Sequence, residues 1–318
     1  MAQEASSDAR GFSPRPGPWQ SHLSNGSVSP AEANATGNIT QTPLGDDKSS
    51  FNYVIIVVAV VLLIDLFGLV GNGTVIWLLG FRVKRNLFSV YILNLAIADF
   101  LFLLCTVVMA ICYINGSHYF PHIIVSFLFM SYLAGLTLLM AISTERCISA
   151  LFPIWYRCHR PAHLSAIVCA VLWGLSLCLG VVHFVCIYYH LGLYDIVILI
   201  YNVTAFLTLL VLCVSSLTLL LRVHCGSWRR QTTKLYRVIL LTVLAFLVLG
   251  LPLNVGLFIY LFFPSLFNFL RYEPIFYVPS VLNSAVNPVI YFFVGRPRHQ
   301  QGPMSLRDVL QSALTEDA

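Results

Sequence analysis

Charge is what this chain has least of. Only 10% of its 318 residues are Asp, Glu, Lys or Arg, against 58% that are hydrophobic. A soluble domain carries about 25% charged residues, so an ordinary soluble globule is excluded and a polytopic membrane protein is indicated. The net charge of +5 is modest, and no nucleic-acid-binding signature accompanies it. The nine cysteines include no CxxC pair, which removes the usual zinc-ligand spacing, and no metal centre is expected. HExxH, GxSxG and P-loop motifs are absent too, so no enzyme constellation is present. Residues 1–50 lack an apolar core, which argues against a cleavable signal peptide.

What the chain does have is long apolar runs. At about 20 residues per crossing, the segment from Phe51 to Gly295 has room for seven helices and short loops. The runs fall near 53–80, 87–114, 121–151, 162–188, 193–221, 235–263 and 273–294. Only YYHLGLYD parts the fourth from the fifth, and Gly192 predicts a tight turn there. Arg82, Lys84 and Arg85 follow the first run, and Arg157 and Arg160 follow the third. Arg222, Arg229, Arg230, Lys234 and Arg237 flank the gap between the fifth and sixth, and Arg296, Arg298 and Arg307 follow the seventh. The opposite loops carry only Arg271. This alternation predicts a cytoplasmic C-terminus and an outside N-terminus. Three N-x-S/T sequons at Asn25, Asn34 and Asn38 agree with it, since they require a luminal tail.

The expected architecture is an all-α membrane protein: a seven-helix bundle over 51–295, preceded by a disordered, glycosylated extracellular tail over 1–50. In the cytoplasmic segment 296–318, Leu306, Val309, Leu310 and Ala313 recur at helical spacing. Ser305 and Asp308 resemble a capping box, so a short amphipathic helix on the inner leaflet is predicted.

Ionisable and amide side chains inside spans are expensive, and each therefore points to function or to a satisfied interior network. The first span holds Asp65 and Asn72, and the second holds Asn94 and Asp99. The seventh holds Asn283, Ser284, Asn287 and Tyr291. Pro252 and Pro288 predict kinks in the sixth and seventh. Glu145 and Arg146 end the third apolar run side by side.

Asn72, LAIAD ending at Asp99, Glu145-Arg146, Trp173, Pro252 and NPVIY stand in one order, a set per helix. In that order they resemble the rhodopsin-like G-protein-coupled receptors. LFPIWYRCHRP and YFFVG further resemble the Mas-related group of those receptors. The resemblance implies an activation switch of Asn72, Asp99, Glu145, Arg146, Pro252, Asn287, Pro288 and Tyr291. Glu145 would pair with Arg146 at rest, and opening of the sixth helix would free Arg146 for a G-protein C-terminus. RRQTTKLYR offers no acid to hold Arg146 from the sixth helix, so a weak resting lock and ligand-free signalling are expected.

Several positions depart from the wider class. The third run has no cysteine before Cys147, so the usual clamp to the second extracellular loop is missing. The group's alternative bond, between the fourth and fifth helices, has Cys186 but no fifth-helix partner, which predicts a free thiol. Gly250 stands where a tryptophan is usual, Leu210 replaces the fifth-helix proline, and Gly135 replaces a polar partner of Asp99. Sodium at Asp99 is therefore only weakly implied, and no other cofactor is. Candidate ligand residues at the extracellular mouth are His183, Asp195, Asp65, Asn254 and Glu273. With so few acids, a relative's cationic ligand is not expected to transfer.

The implied function is a plasma-membrane receptor linking an extracellular peptide or small molecule to a heterotrimeric G protein, Gq/11 or Gi/o, in a sensory or nociceptive setting. Two Asp residues make a thin ion path, which argues against a transporter or channel. The seventh run has no lysine for a retinal Schiff base. The alternative is a receptor-like protein that modulates partner receptors without signalling itself.

Overall fold

A computed structural model describes residues 45–83, 87–115, 121–161, 163–225, 234–263, 273–295 and 305–314. The sequons at Asn25, Asn34 and Asn38 and the loop over 226–233 lie outside the described residues. So do the side chains of 234–237 and of Glu273. Residues 50–318 form one compact unit.

Seven helices among the described residues are long and apolar enough to cross a membrane: Tyr53–Arg82, Phe88–Ile114, His122–Ser149, Leu164–Tyr188, Tyr194–Thr218, Leu240–Phe262 and Tyr277–Val294. The third is the hub, packed on the second, fourth and fifth, and the seventh packs on the second and sixth. Apolar side chains turned inward form two clusters. One contains Leu79, Tyr91, Ile142 and Tyr291, and the other contains Phe102, Phe129, Ile198 and Val281. Outward positions such as Phe67, Phe206 and Phe293 stay exposed, as suits helices solvated by lipid rather than water. Close approach of the first and seventh spans needs Gly68. A Cβ there would stand 2.6 Å from Leu103 Cδ1 and 2.8 Å from Ala285 Cβ.

Local chemistry adds to the sequence expectation at four places. The turn expected at Gly192 between fourth and fifth spans is present, and the fourth span is stopped just before it by His190, which takes a φ of 50°. Its N–H donates to Ile187 O (3.3 Å) and that of Leu191 to Cys186 O (2.9 Å), a Schellman stop that satisfies two end carbonyls. After the third span the chain re-enters helix over Pro153–Cys158, begun by a proline at its first turn where no N–H is needed. The sixth span bends through a π-turn, Phe246–Gly250, just before Pro252, and the seventh carries Pro279 as well as Pro288. Finally, the predicted C-terminal helix is present over Leu306–Leu314, but it packs on the seventh span and on the sixth span's inner segment. Val309 and Leu310 are buried against protein there, and Leu306 is left exposed.

Candidate functional site

The C-terminal end of the third span carries Glu145 and Arg146, each 8% exposed. Adjacent residues on a helix do not face each other. Glu145 accordingly takes its ion pair from Arg160, whose Nε reaches Oε1 across the loop helix. Tyr156 donates to the same oxygen (3.0 Å) and Tyr91 to Oε2 (3.1 Å). Arg160 Nη2 also donates to Ser165 Oγ at 2.6 Å, which anchors the guanidinium to the fourth span. Burial, reinforced by the neighbouring Glu145 carboxylate, pushes the Tyr156 phenol well above its ordinary range, so it remains a donor. Arg146 turns the other way and lies over the Phe88 ring, its guanidinium carbon 3.5 Å from the centroid. The pairing of Glu145 with Arg146 expected from the sequence is thus replaced by a pairing with Arg160.

Deeper in the bundle, Asn72 Nδ2 donates to Gly68 O and to Ser284 O, both at 3.0 Å, fastening the first span to the seventh. Asn287 Nδ2 donates to Asp99 Oδ2 at 2.7 Å, joining seventh to second, and Tyr291 is buried one turn further in. Trp173 Nε1 donates to Asn94 Oδ1 at 3.0 Å, joining fourth to second. Asp99 and Asn287 line a cavity of about 20 Å³ with Ser131, Gly135, Asn283 and Ser284, room for one water or small ion. Asn287 Oδ1 is buried there without a hydrogen-bond partner. With Asp99 and the Ser131 hydroxyl it gives an all-oxygen donor set of one carboxylate, which fits a monovalent hard cation.

A third node lies at the sixth-span bend. Tyr132 donates to Gly250 O (3.2 Å), and Asn254 Nδ2 donates to Tyr132 Oη (2.7 Å) and to Gly250 O (3.0 Å). Phe246 occupies the space in which a side chain at position 250 would stand: a Cβ on Gly250 would be 2.5 Å from Phe246 Cδ2.

The candidate ligand residues do not converge. Asp65 is fully buried toward the second span, where Thr106 Oγ1 donates to its Oδ1 at 2.6 Å. Asn254 belongs to the bend, and Asp195 is exposed in the first turn of the fifth span. His183 is buried between the third, fourth and fifth spans, with Ser126 Oγ 2.9 Å from Nδ1 and the Phe129 ring 4.7 Å away. Its Nε2 and the Tyr201 hydroxyl are both buried without partners. The rings of His183 and Tyr201 meet edge-on at 6.2 Å. Cys186 nearby is a free, buried thiol.

Sequence reasoning missed Tyr91, Tyr132, Tyr156, Phe246 and the role of Arg160. Tyr156 and Arg160 stand inside the WYRCHRP run that marks the group, but only the loop helix shows which carboxylate they serve.

Comparison with known proteins places these features. The model of the 7 transmembrane receptor (rhodopsin family) matches residues 71–291. The chain is similar to the human Mas-related G-protein coupled receptor member X2, with 44% identity over 89% of this chain and 92% of the relative. It is also similar to Mas-related G-protein coupled receptor member A6 of Mus musculus, with 42% identity over 83% of this chain and 91% of the relative. The gorilla member X2 is 45% identical over 83% and 84%. Glu145, Arg146, Asp99 and Asn287 are therefore interior groups of a receptor rather than of an enzyme. The chain belongs to the rhodopsin family of seven-transmembrane receptors, among the Mas-related G-protein-coupled receptors.

Proposed function

We propose that this receptor, with its N-terminus outside the plasma membrane, binds an extracellular peptide or small molecule and activates a Gq/11 or Gi/o heterotrimer. A sensory or nociceptive setting goes with the group it belongs to. The observation that carries the reading is the closed cytoplasmic end: Arg146 is buried over Phe88, while its neighbour Glu145 is held by Arg160 and two tyrosines. A buried arginine beside a clamped carboxylate at the inner end of the hub helix is a group waiting to be exposed. The Asn72, Asp99–Asn287 and Tyr132–Gly250 nodes tie that end to the first, second, sixth and seventh spans. An extracellular ligand can thereby bias the whole set through two packings.

On the ligand side, the unpartnered His183 Nε2 and Tyr201 hydroxyl support a ligand with a hydrogen-bonding group such as an amide or a hydroxyl. Asp195 supplies no buried anion for a cation. A sodium ion at Asp99 would be held by Asp99, Asn287 Oδ1 and Ser131, and would stabilise the closed packing by its charge.

The test is ligand-free signalling in cells, read as inositol phosphate accumulation and as inhibition of cAMP, for wild type and Arg146→Ala at matched surface expression. A basal signal lost in the variant supports the reading and identifies the G-protein class. Equal basal signals in the two would sink the role given to Arg146. A surface receptor that couples to no G protein under any ligand would favour the modulator.

A further inference from the structure

The C-terminal helix packs one of its faces on protein. Here Leu306 is 57% exposed, whereas Val309 is 8% and Leu310 0% exposed. The helix packs on the seventh span and on Lys234–Ala245, the inner segment of the sixth. Leu310 belongs to the same buried apolar cluster as Val238 of the sixth span and Tyr291 and Val294 of the seventh. The helix start is fixed independently. The Asp308 N–H donates to Ser305 Oγ at 3.2 Å, and the Ser305 hydroxyl donates to Asp308 Oδ2 at 2.6 Å.

We propose that the receptor's own C-terminal helix is a brake, docked at rest on an apolar surface formed by the inner ends of the sixth and seventh spans. The sixth span cannot swing outward without uncovering Leu310, so the closed packing is favoured by the burial of that side chain and of Val309. The stretch RRQTTKLYR lacks any carboxylate with which the sixth span could hold Arg146. Apolar docking supplies the hold that an ion pair gives elsewhere. This inference rests on the G-protein reading above.

The experiment measures ligand-free nucleotide exchange in membranes at matched surface expression, together with photo-cross-linking from a benzophenone amino acid at position 310. The proteins are the full chain, Leu310→Asp, Leu306→Asp and a chain ending at Gly302. Leu310→Asp and the shortened chain are expected to raise exchange by about threefold or more, since a buried aliphatic contact biases a two-state equilibrium by at least that factor. Leu306→Asp, on the exposed face, leaves exchange at the wild-type level, and the cross-link maps to the sixth or seventh span. Wild-type exchange that is robust but unchanged in Leu310→Asp and in the shortened chain overturns the brake alone. Exchange absent from every protein overturns the brake and the G-protein reading together. A cross-link to lipid only overturns the docking surface whatever the exchange shows.

Discussion

At the residue scale, the most informative side chain is Arg160. Successive residues on an α-helix project about 100° apart, so Glu145 and Arg146 point to different neighbours from one backbone. The short helix opened by Pro153 brings Tyr156 and Arg160 back under the third span, and the Glu145 carboxylate takes both. The Arg160 side chain is 2% exposed and that of Glu145 10%, so removing one partner leaves a buried charge with only hydroxyl donors. Arg160→Ala is expected to lower stability by about 3 kcal/mol, near the low end for breaking a buried pair, as read by thermal unfolding of purified receptor. Arg160→Lys should recover part of the loss, because an ammonium can reach Glu145 but cannot also offer the Nη2 bond to Ser165. A wild-type melting temperature in Arg160→Ala would show that the pair contributes nothing.

At the scale of the element, the sixth span shows how a missing side chain is used. Pro252 has no N–H and cannot continue the helix ladder, and the π-turn over Phe246–Gly250 absorbs the misfit. The bare Gly250 admits the Phe246 ring and leaves its carbonyl open to Tyr132 and Asn254. The bend is thereby fastened to the hub helix by a backbone acceptor in place of a large aromatic side chain. Gly250→Ala puts a methyl into the ring and is expected to cost about 1–3 kcal/mol, the usual penalty of overpacking. Combining it with Phe246→Leu should recover much of that cost, a non-additivity expected of residues in contact. Strictly additive losses in unfolding measurements would place the two residues out of contact.

At the scale of the whole molecule, the charge alternation and the tail sequons predict an outside N-terminus. Endoglycosidase treatment of the cell-surface protein is expected to increase its mobility on a denaturing gel. Replacing Asn25, Asn34 and Asn38 together by Gln should abolish that shift, and a shift that persists would place the glycans elsewhere. The same scale shows why the first and seventh spans act as one body: Asn72 bonds Ser284 O, and Gly68 leaves no room for a side chain between them.

The seven spans and the receptor family were legible in the chain itself. The length of an apolar run and the side on which arginines collect are local properties, fixed by what a bilayer admits. The interior candidates were legible for a related reason, since an Asp or Asn in a span is costly enough to stand out, as Asp99, Asn72 and Asn287 do. Partner choice was not legible. Glu145 met Arg160 rather than the adjacent Arg146, because that depends on where another segment arrives. The C-terminal helix shows the division most plainly: its spacing announced an amphipathic helix, a local property of the chain. Only tertiary packing decided that Leu310 is buried against the sixth and seventh spans while Leu306 is left outside, because that depends on where other segments arrive.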